Sequence, residues 1–202
     1  MSRITGPKTR YARRLGEPLR DKDSKILVKR NYRPGMHGQS RTRISEYGTQ
    51  LLEKQKAKWI YGIKEQQFRR YIEDATKKKG MTGDILLRAL ELRMDNIIYR
   101  LGFAASRAQA RQLVTHGFFT IDAKRVNIPS YSVPIGSQIA VAANKRPSKY
   151  IQQILPKLKE FKTLEWLSLD GKSLSGRVLS APTFENTGST IRSELIIEHY
   201  SR

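Results

Sequence analysis

Residues Arg93–Tyr131 read RMDNIIYRLGFAASRAQARQLVTHGFFTIDAKRVNIPSY. Ser106 followed three residues later by Gln109 matches a capping box, so a helix begins there. Ala110, Leu113 and Val114 take its inner face, and Gly117 is its natural stop. Arg107 and Arg111 lie four residues apart, so both side chains leave one face. The period then switches to two, with Phe119 and Ile121 on one side of a strand and Phe118 and Thr120 on the other. A short turn follows at Asp122–Arg125, and two more strands are expected near Arg125–Ile128 and Gln138–Ala142. Upstream, Leu86, Leu90, Met94, Ile97, Ile98 and Leu101 continue a helical pattern. Short helices on a small antiparallel sheet make residues 93–142 a compact α+β module. Arg107, Arg111, Lys124 and Arg125 surround its central helix, with no group able to make or break a covalent bond. A charged, chemically inert surface of this kind suits phosphate and backbone shape, which points to RNA.

The whole-chain charge agrees. The 202 residues carry 39 Lys+Arg against 18 Asp+Glu, a net +21, with 38% hydrophobic content. Such a field repels copies of itself and attracts polyanions. No apolar run approaches the roughly 18 residues a membrane span needs. The helical stripes have ordinary core width, unlike a basic membrane-surface helix. There is no cysteine, which excludes disulfides, thiolate zinc sites and cysteine nucleophiles.

Residues 1–44 hold 13 Lys+Arg against 3 acids and are rich in turn formers, including Gly6-Pro7 and Pro34-Gly35. They read as a loop-rich basic arm that orders on a polyanion or drapes over the rest. Deleting residues 1–44 is expected to weaken RNA binding while leaving the fold intact. Residues 45–92 read as a helical domain. Ser45 caps a helix with Tyr47, Leu51, Leu52 and Trp59 on one side, and Gly62 interrupts it. Phe68, Tyr71, Ile72 and Ala75 give a second helix one buried face, with Arg69 and Arg70 off the stripe. Gly80 and Gly83 end the segment. Residues 143–202 are expected to pack back on that domain. They hold a helix from Ser148 that Pro156 kinks or ends, strands at Glu165–Leu169 and Arg177–Ser180, and a close that reads equally as strand or helix. Asp170-Gly-Lys-Ser lacks the glycine and the strand–loop–helix order of a phosphate loop.

Ten motifs stand in order along the chain: Asn31-Tyr-Arg-Pro-Gly-Met-His-Gly, Tyr47-Gly, Leu52-Glu-Lys-Gln-Lys, Tyr61-Gly, Thr82-Gly, Leu92-Arg-Met-Asp-Asn, Arg100-Leu-Gly-Phe, Ala110-Arg-Gln-Leu-Val-Thr-His-Gly, Asn127-Ile-Pro-Ser-Tyr and Tyr200-Ser-Arg. In these the whole chain resembles the bacterial-type family of the fourth small-subunit ribosomal protein (ribosomal protein S-four). Residues 93–142 also resemble the wider RNA-binding module of pseudouridine synthases and tyrosyl-tRNA synthetases. The resemblance implies a non-enzymatic protein that binds a multi-helix junction in the 5′ domain of 16S rRNA early in subunit assembly. It implies contact with small-subunit protein five, linked to decoding accuracy. It also implies a position with small-subunit protein three where mRNA enters, and in some bacteria repression of its own mRNA. A ribosome of the bacterial cytosol or of a plastid fits equally.

Charge, placement and this resemblance together make the candidate RNA contacts Arg3, Lys8, Arg10, Arg13, Arg14, Arg30, Arg33, His37, Arg41, Arg43, Lys54, Lys58, Arg69, Arg70, Arg107, Arg111, His116, Lys124 and Arg125. Lys54, Lys56 and Lys58 divide evenly between phosphate contact and a solvated face. Trp59 and Tyr131 read as core rather than base-stacking platforms. Reversing the charge of Arg107 and Arg111 is expected to weaken junction binding without lowering the melting temperature. Gly38-Gln-Ser-Arg-Thr-Arg carries Ser40 where relatives often show a denser basic run, and Asp122-Ala123 replaces the usual Asn-Gly turn. An RNA-modifying enzyme would need a catalytic domain, for which 143–202 is too short and 1–83 too basic. A free RNA chaperone or regulator using the same module is the alternative.

Many members of that family bind zinc through four N-terminal cysteines; this chain has none, so no cofactor or metal is expected. Elemental analysis of the purified protein should accordingly find no stoichiometric zinc, and one zinc per chain would contradict this.

Overall fold

The computed structural model describes residues 6–40 and 43–201. In chain order the helices α1 (Lys8–Leu15), α2 (Asp21–Lys29), α3 (Glu46–Tyr61), α4 (Glu65–Thr76), α5 (Thr82–Glu91), α6 (Met94–Arg100) and α7 (Arg107–Thr115) come first. Strands β1 (Phe119–Ile121), β2 (Lys124–Arg125) and β3 (Gln138–Val141) follow. A 3-10 turn at Ala143–Lys145 leads to helix α8 (Lys149–Glu160), strands β4 (Leu167–Asp170) and β5 (Ser175–Val178), then α9 (Phe184–Thr187) and α10 (Ser193–Ser201). The chain divides into two units, 1–83 with 190–202, and 84–189.

The first unit is helical. Ser45 Oγ accepts the Gly48 N–H at 3.2 Å and starts α3, and Gly62 ends it with φ +66°. The buried face of α3 is not the expected apolar one. Tyr47 is exposed, while Gln50, Lys54, Lys56, Ala57, Lys58 and Tyr61 are buried. Their spacing is helical, but three of them are lysines that a hydrophobic pattern cannot register. Each is buried because a carboxylate meets it. Lys58 Nζ lies 2.6 Å and Lys54 Nζ 3.3 Å from the two carboxylate oxygens of Glu65, and Lys54 also stands over the Tyr200 ring of α10. Lys56 Nζ donates to Glu17 and to the Thr190 carbonyl, both at 2.9 Å. Lys54 and Lys58 are therefore internal ties of this unit and are removed from the candidate RNA contacts. On α4 the expectation holds better: Phe68, Ile72 and Ala75 are buried and Arg69 and Arg70 exposed.

Residues 6–40 hold two helices rather than loop alone. Tyr11 of α1 stacks on Trp59 of α3 with ring centroids 4.5 Å apart, and Ala12 is fully buried. Glu17 reaches Lys56. The segment is built into the unit, so deleting 1–44 removes Glu17, the nearest carboxylate to buried Lys56, and uncovers Trp59. These contacts speak against an intact fold after that deletion. Gly83 sits inside α5 rather than ending the segment; a Cβ there would strike Ser193 of α10. The ambiguous close of the chain is the helix α10.

The second unit is α+β, as expected. Its sheet, among the described residues, has five antiparallel strands in the order β2-β1-β3-β5-β4. Phe119, Ile121, Ile139, Val141, Leu167 and Val178 turn one face into a core shared with Ile97, Ile98 and Leu101 of α6, Leu113 and Val114 of α7, and Ile151 of α8. Residues 143–189 belong here rather than with the helical domain, because Trp166 is fully buried in this core and β5 hydrogen-bonds to β3. Gly176 fits only because the Leu101 side chain fills the place of a Cβ.

Local details differ from the expected elements for physical reasons. β2 ends at Arg125, with only Thr120 and Ile121 of β1 paired to it. Asp122 and Ala123 close the hairpin at φ +45° and +66°, and Asp122 Oδ1 accepts the Gln138 N–H at 2.9 Å. Pro156 lies inside α8, which continues to Glu160; the missing N–H leaves only the exposed Gln152 carbonyl without its helical donor. Asp170–Ser173 is the β4–β5 turn, with Asp170 Oδ1 accepting the Lys172 and Ser173 amides.

Burial alone would raise the Glu65 pKa, but hydrogen bonds from Lys58 and Tyr200 and the charges of Lys58 and Lys54 outweigh it and hold it at about 2, against an ordinary 4.5. A depressed carboxylate stabilises fully above pH 4.5 and loses that contribution as pH falls toward 2. Glu65 is half-exposed, so solvent screening limits the worth to about 1 kcal/mol. In Glu65→Gln, thermal melts at neutral pH should show a modest loss, and the difference from the unaltered protein should shrink between pH 4.5 and 2. A difference independent of pH would refute the assignment.

Candidate nucleic-acid interface

Two buried carboxylates organise the arginines of the module. Arg93 is 1% exposed and binds Asp95 bidentately, Nε to Oδ1 at 3.1 Å and Nη2 to Oδ2 at 2.8 Å. Arg111 of α7 donates to the same Asp95 Oδ2 at 3.1 Å. Glu91, fully buried, takes Arg100 through both oxygens at 3.2 and 2.8 Å. It also accepts the Asn96 amide at 2.6 Å. The other end of Asn96, Oδ1, accepts Arg107 Nε at 2.7 Å, and the Arg107 guanidinium lies over the Tyr99 ring at 4.5 Å. Three arginines thus meet two carboxylates and Arg107 joins them through Asn96, so four guanidiniums against two carboxylates leave a formal excess of two positive charges on one small scaffold. α6 and α7 place them: Ser106 Oγ accepts the Gln109 N–H, while Gln109 Oε1 accepts the Ala105 N–H, so the capping box starts α7 directly after α6 and its turn.

Arg107 and Arg111 are half-buried and held, not solvated. A reversed charge at Arg111 would face Asp95, which speaks against an unchanged melting temperature. Gly117 ends α7 at φ +66°, and the Arg125 guanidinium lies where a Gly117 Cβ would stand. This brings Arg125 to the C-terminal end of α7. Lys124 and His116 are exposed.

In the helical unit, Arg13 is spent on its own fold. It donates to the Tyr32 and Arg33 carbonyls at 3.1 and 3.2 Å and lies over the Tyr32 ring. Arg10, Arg14, Arg30, His37, Arg43, Arg69 and Arg70 are exposed, and Lys8 and Arg33 half-buried. Arg69 pairs with Glu73 at 2.9 Å on the surface. Arg14, Arg33 and Arg43 border one cleft. Arg3 and Arg41 lie outside the described residues. Trp59 is half-buried against Tyr11, whereas Tyr131 is 38% exposed; what ties Tyr131 down is its carbonyl, which accepts the Met94 N–H.

Sequence reasoning missed Glu91, Arg93, Asp95, Asn96 and Arg100. The available signal was charge inside an otherwise apolar helical pattern, Arg93 and Asp95 flanking Met94 ahead of Ile97 and Ile98. Lys145, over the Phe118 ring, and Arg177, donating to the Gly136 carbonyl, were missed as well.

Removing one partner of a buried pair leaves an uncompensated charge and costs about 3–5 kcal/mol. Thermal denaturation should therefore show Asp95→Asn strongly destabilised, and Arg111→Glu more destabilised than Arg111→Gln. Equal melting temperatures for the three variants and the unaltered protein would refute the network.

Residues 3–91 match the family described as the ribosomal protein S4/S9 N-terminal domain, and residues 92–139 match the S4 domain. The chain is 48% identical over 206 residues to the small ribosomal subunit protein uS4 of Roseiflexus castenholzii, covering all of both chains. It is 46% identical over 206 residues to that of Chloroflexus aurantiacus and 48% identical over 205 to that of Parabacteroides distasonis, again over the full length of each. With full-length similarity at this level, and arginines held on buried carboxylates within the matched S4 domain, the chain belongs to the bacterial-type ribosomal protein S4 family.

Proposed function

We propose that this chain is a structural, non-catalytic constituent of the small ribosomal subunit that binds a multi-helix junction in the 5′ domain of 16S rRNA and nucleates assembly there. The single observation that carries it is the arginine scaffold on Asp95 and Glu91, which pre-orients Arg107 and Arg111 on a chain of net charge +21. A guanidinium already held along one edge loses little freedom on meeting a phosphate. A-form RNA hides its base edges in a deep, narrow groove, so such a surface reads phosphates, 2′-hydroxyls and junction shape. Lys124, Arg125 and His116 extend it beyond α7. In the helical unit Lys8, Arg10, Arg14, Arg30, Arg33, His37, Arg43, Arg69 and Arg70 serve the same end. Contact with small-subunit protein five, and through it decoding accuracy, belongs to this reading. So does a place beside protein three where mRNA enters, in a ribosome of the cytoplasm.

Phosphate-dominated binding is steeply salt-dependent: about six neutralised phosphates lose roughly 10³ in affinity between 50 and 200 mM salt. Binding of the purified protein to the 5′-domain junction should follow such a slope and survive excess tRNA. The protein should also stay with small subunits pelleted through high salt. Competition by tRNA on equal terms, or release from the pellet, would favour a free RNA chaperone or regulator instead.

A further inference from the structure

At the N-terminal end of α3 the helical unit has an open cleft of about 510 Å³. Its rim carries three arginines, Arg14, Arg33 and Arg43. The apolar part of its lining, the floor, is Ile44, Leu51, Leu52 and Pro34. We propose that this cleft receives one unstacked nucleotide of the bound RNA, its base on the apolar floor and its phosphates on the three arginines. The inference rests on the rRNA-binding reading and goes beyond it, since that reading needs only shape and phosphate.

Four observations favour this occupant. The lysines on the buried face of the same helix are all neutralised by Glu17 or Glu65, whereas Arg14, Arg33 and Arg43 form no ion pair among the described residues. Arg14 and Arg43 are exposed and Arg33 is half-buried, so these cations line the cleft without a carboxylate of their own among the described residues. Secondly, the loop that bears Arg33 and Pro34 is fixed from behind, because Arg13 donates to the Tyr32 and Arg33 carbonyls. Thirdly, the capped N-terminus of α3 borders the cleft at Ser45 and Gly48, adding a partial positive charge to the same side. Finally, the volume lies within the range of pockets for small organic ligands, and a bare phosphate would have no use for a leucine floor. Splayed bases stack on apolar side chains and guanidinium planes. Paired A-form residues offer no open base, so the nucleotide must come from an unpaired position, as found at a helical junction.

The test uses the full chain with Ile44, a half-exposed cleft residue, replaced by photoreactive benzoylphenylalanine. The protein is bound to the 5′-domain RNA, irradiated, and the crosslinked nucleotide mapped; that base is then removed to leave an abasic site. Crosslinks should concentrate on one unpaired nucleotide, and the abasic RNA should bind the unaltered protein about tenfold more weakly, the loss expected for one stacked base. Arg14→Ala with Arg33→Ala should weaken binding to intact RNA more than to abasic RNA, at an unchanged melting temperature, because arginines and base act on one nucleotide. Crosslinks spread over paired nucleotides, with abasic RNA bound as tightly as intact RNA, would reduce the cleft to a phosphate groove and overturn the proposal. So would a crosslink to a neighbouring protein, and not to RNA, in reconstituted subunits. Failure of the unaltered protein to bind the RNA at all would overturn the rRNA reading and this inference with it, a result distinct from tight binding without base dependence.

Discussion

Like-charge repulsion is the constraint on which this structure depends, and buried carboxylates are its answer. Of the 39 basic residues, Lys54, Lys56, Lys58 and Arg93 are buried among the described residues, and each meets a carboxylate. In the module, Asp95 gathers Arg93 and Arg111, and Glu91 gathers Arg100 and, through Asn96, Arg107. Desolvating these charges is costly, and the cost is offset only because nearly every lone pair and donor is met at close range. The network fixes where α7 lies against α6. It leaves a formal excess of positive charge beside helix α7.

The helical unit solves the same problem with lysines. Lys54, Lys56 and Lys58 crowd the buried face of α3, where Glu65 and Glu17 answer them and their aliphatic stems fill space between helices. Two kinds of cation thus stand apart in this unit. Those with internal carboxylates hold the unit together, and those at the start of α3 face its surface.

Rigidity is the structural consequence of the module's arrangement. A flexible arginine on an open helix loses rotamer freedom when it grips a phosphate. Arg107, braced between Asn96 and the Tyr99 ring, and Arg111, braced on Asp95, lose less. The hairpin adds a second fixed element: Asp122 tolerates a positive φ and also accepts the Gln138 amide, so β1, β2 and β3 are pinned at the turn that carries Lys124 and Arg125.

Sequence alone determined what depends on local periodicity and caps. Ser45, Ser106 and Ser148 each cap the helix they were expected to start, the alternation at Phe119–Ile121 is a strand, and the charge already pointed to a polyanion. Tertiary structure decided what depends on partners distant in the chain. Lys56 is a tie and not a surface charge because Thr190 and Glu17 meet it, 134 and 39 residues away. Residues 143–189 complete the second unit's sheet because β5 pairs with β3, which no spacing within that segment encodes. A lysine or arginine reads the same in sequence whether it faces water, a phosphate or a buried glutamate. Only the position of the opposing carboxylate separates them, and that position exists once the chain has folded.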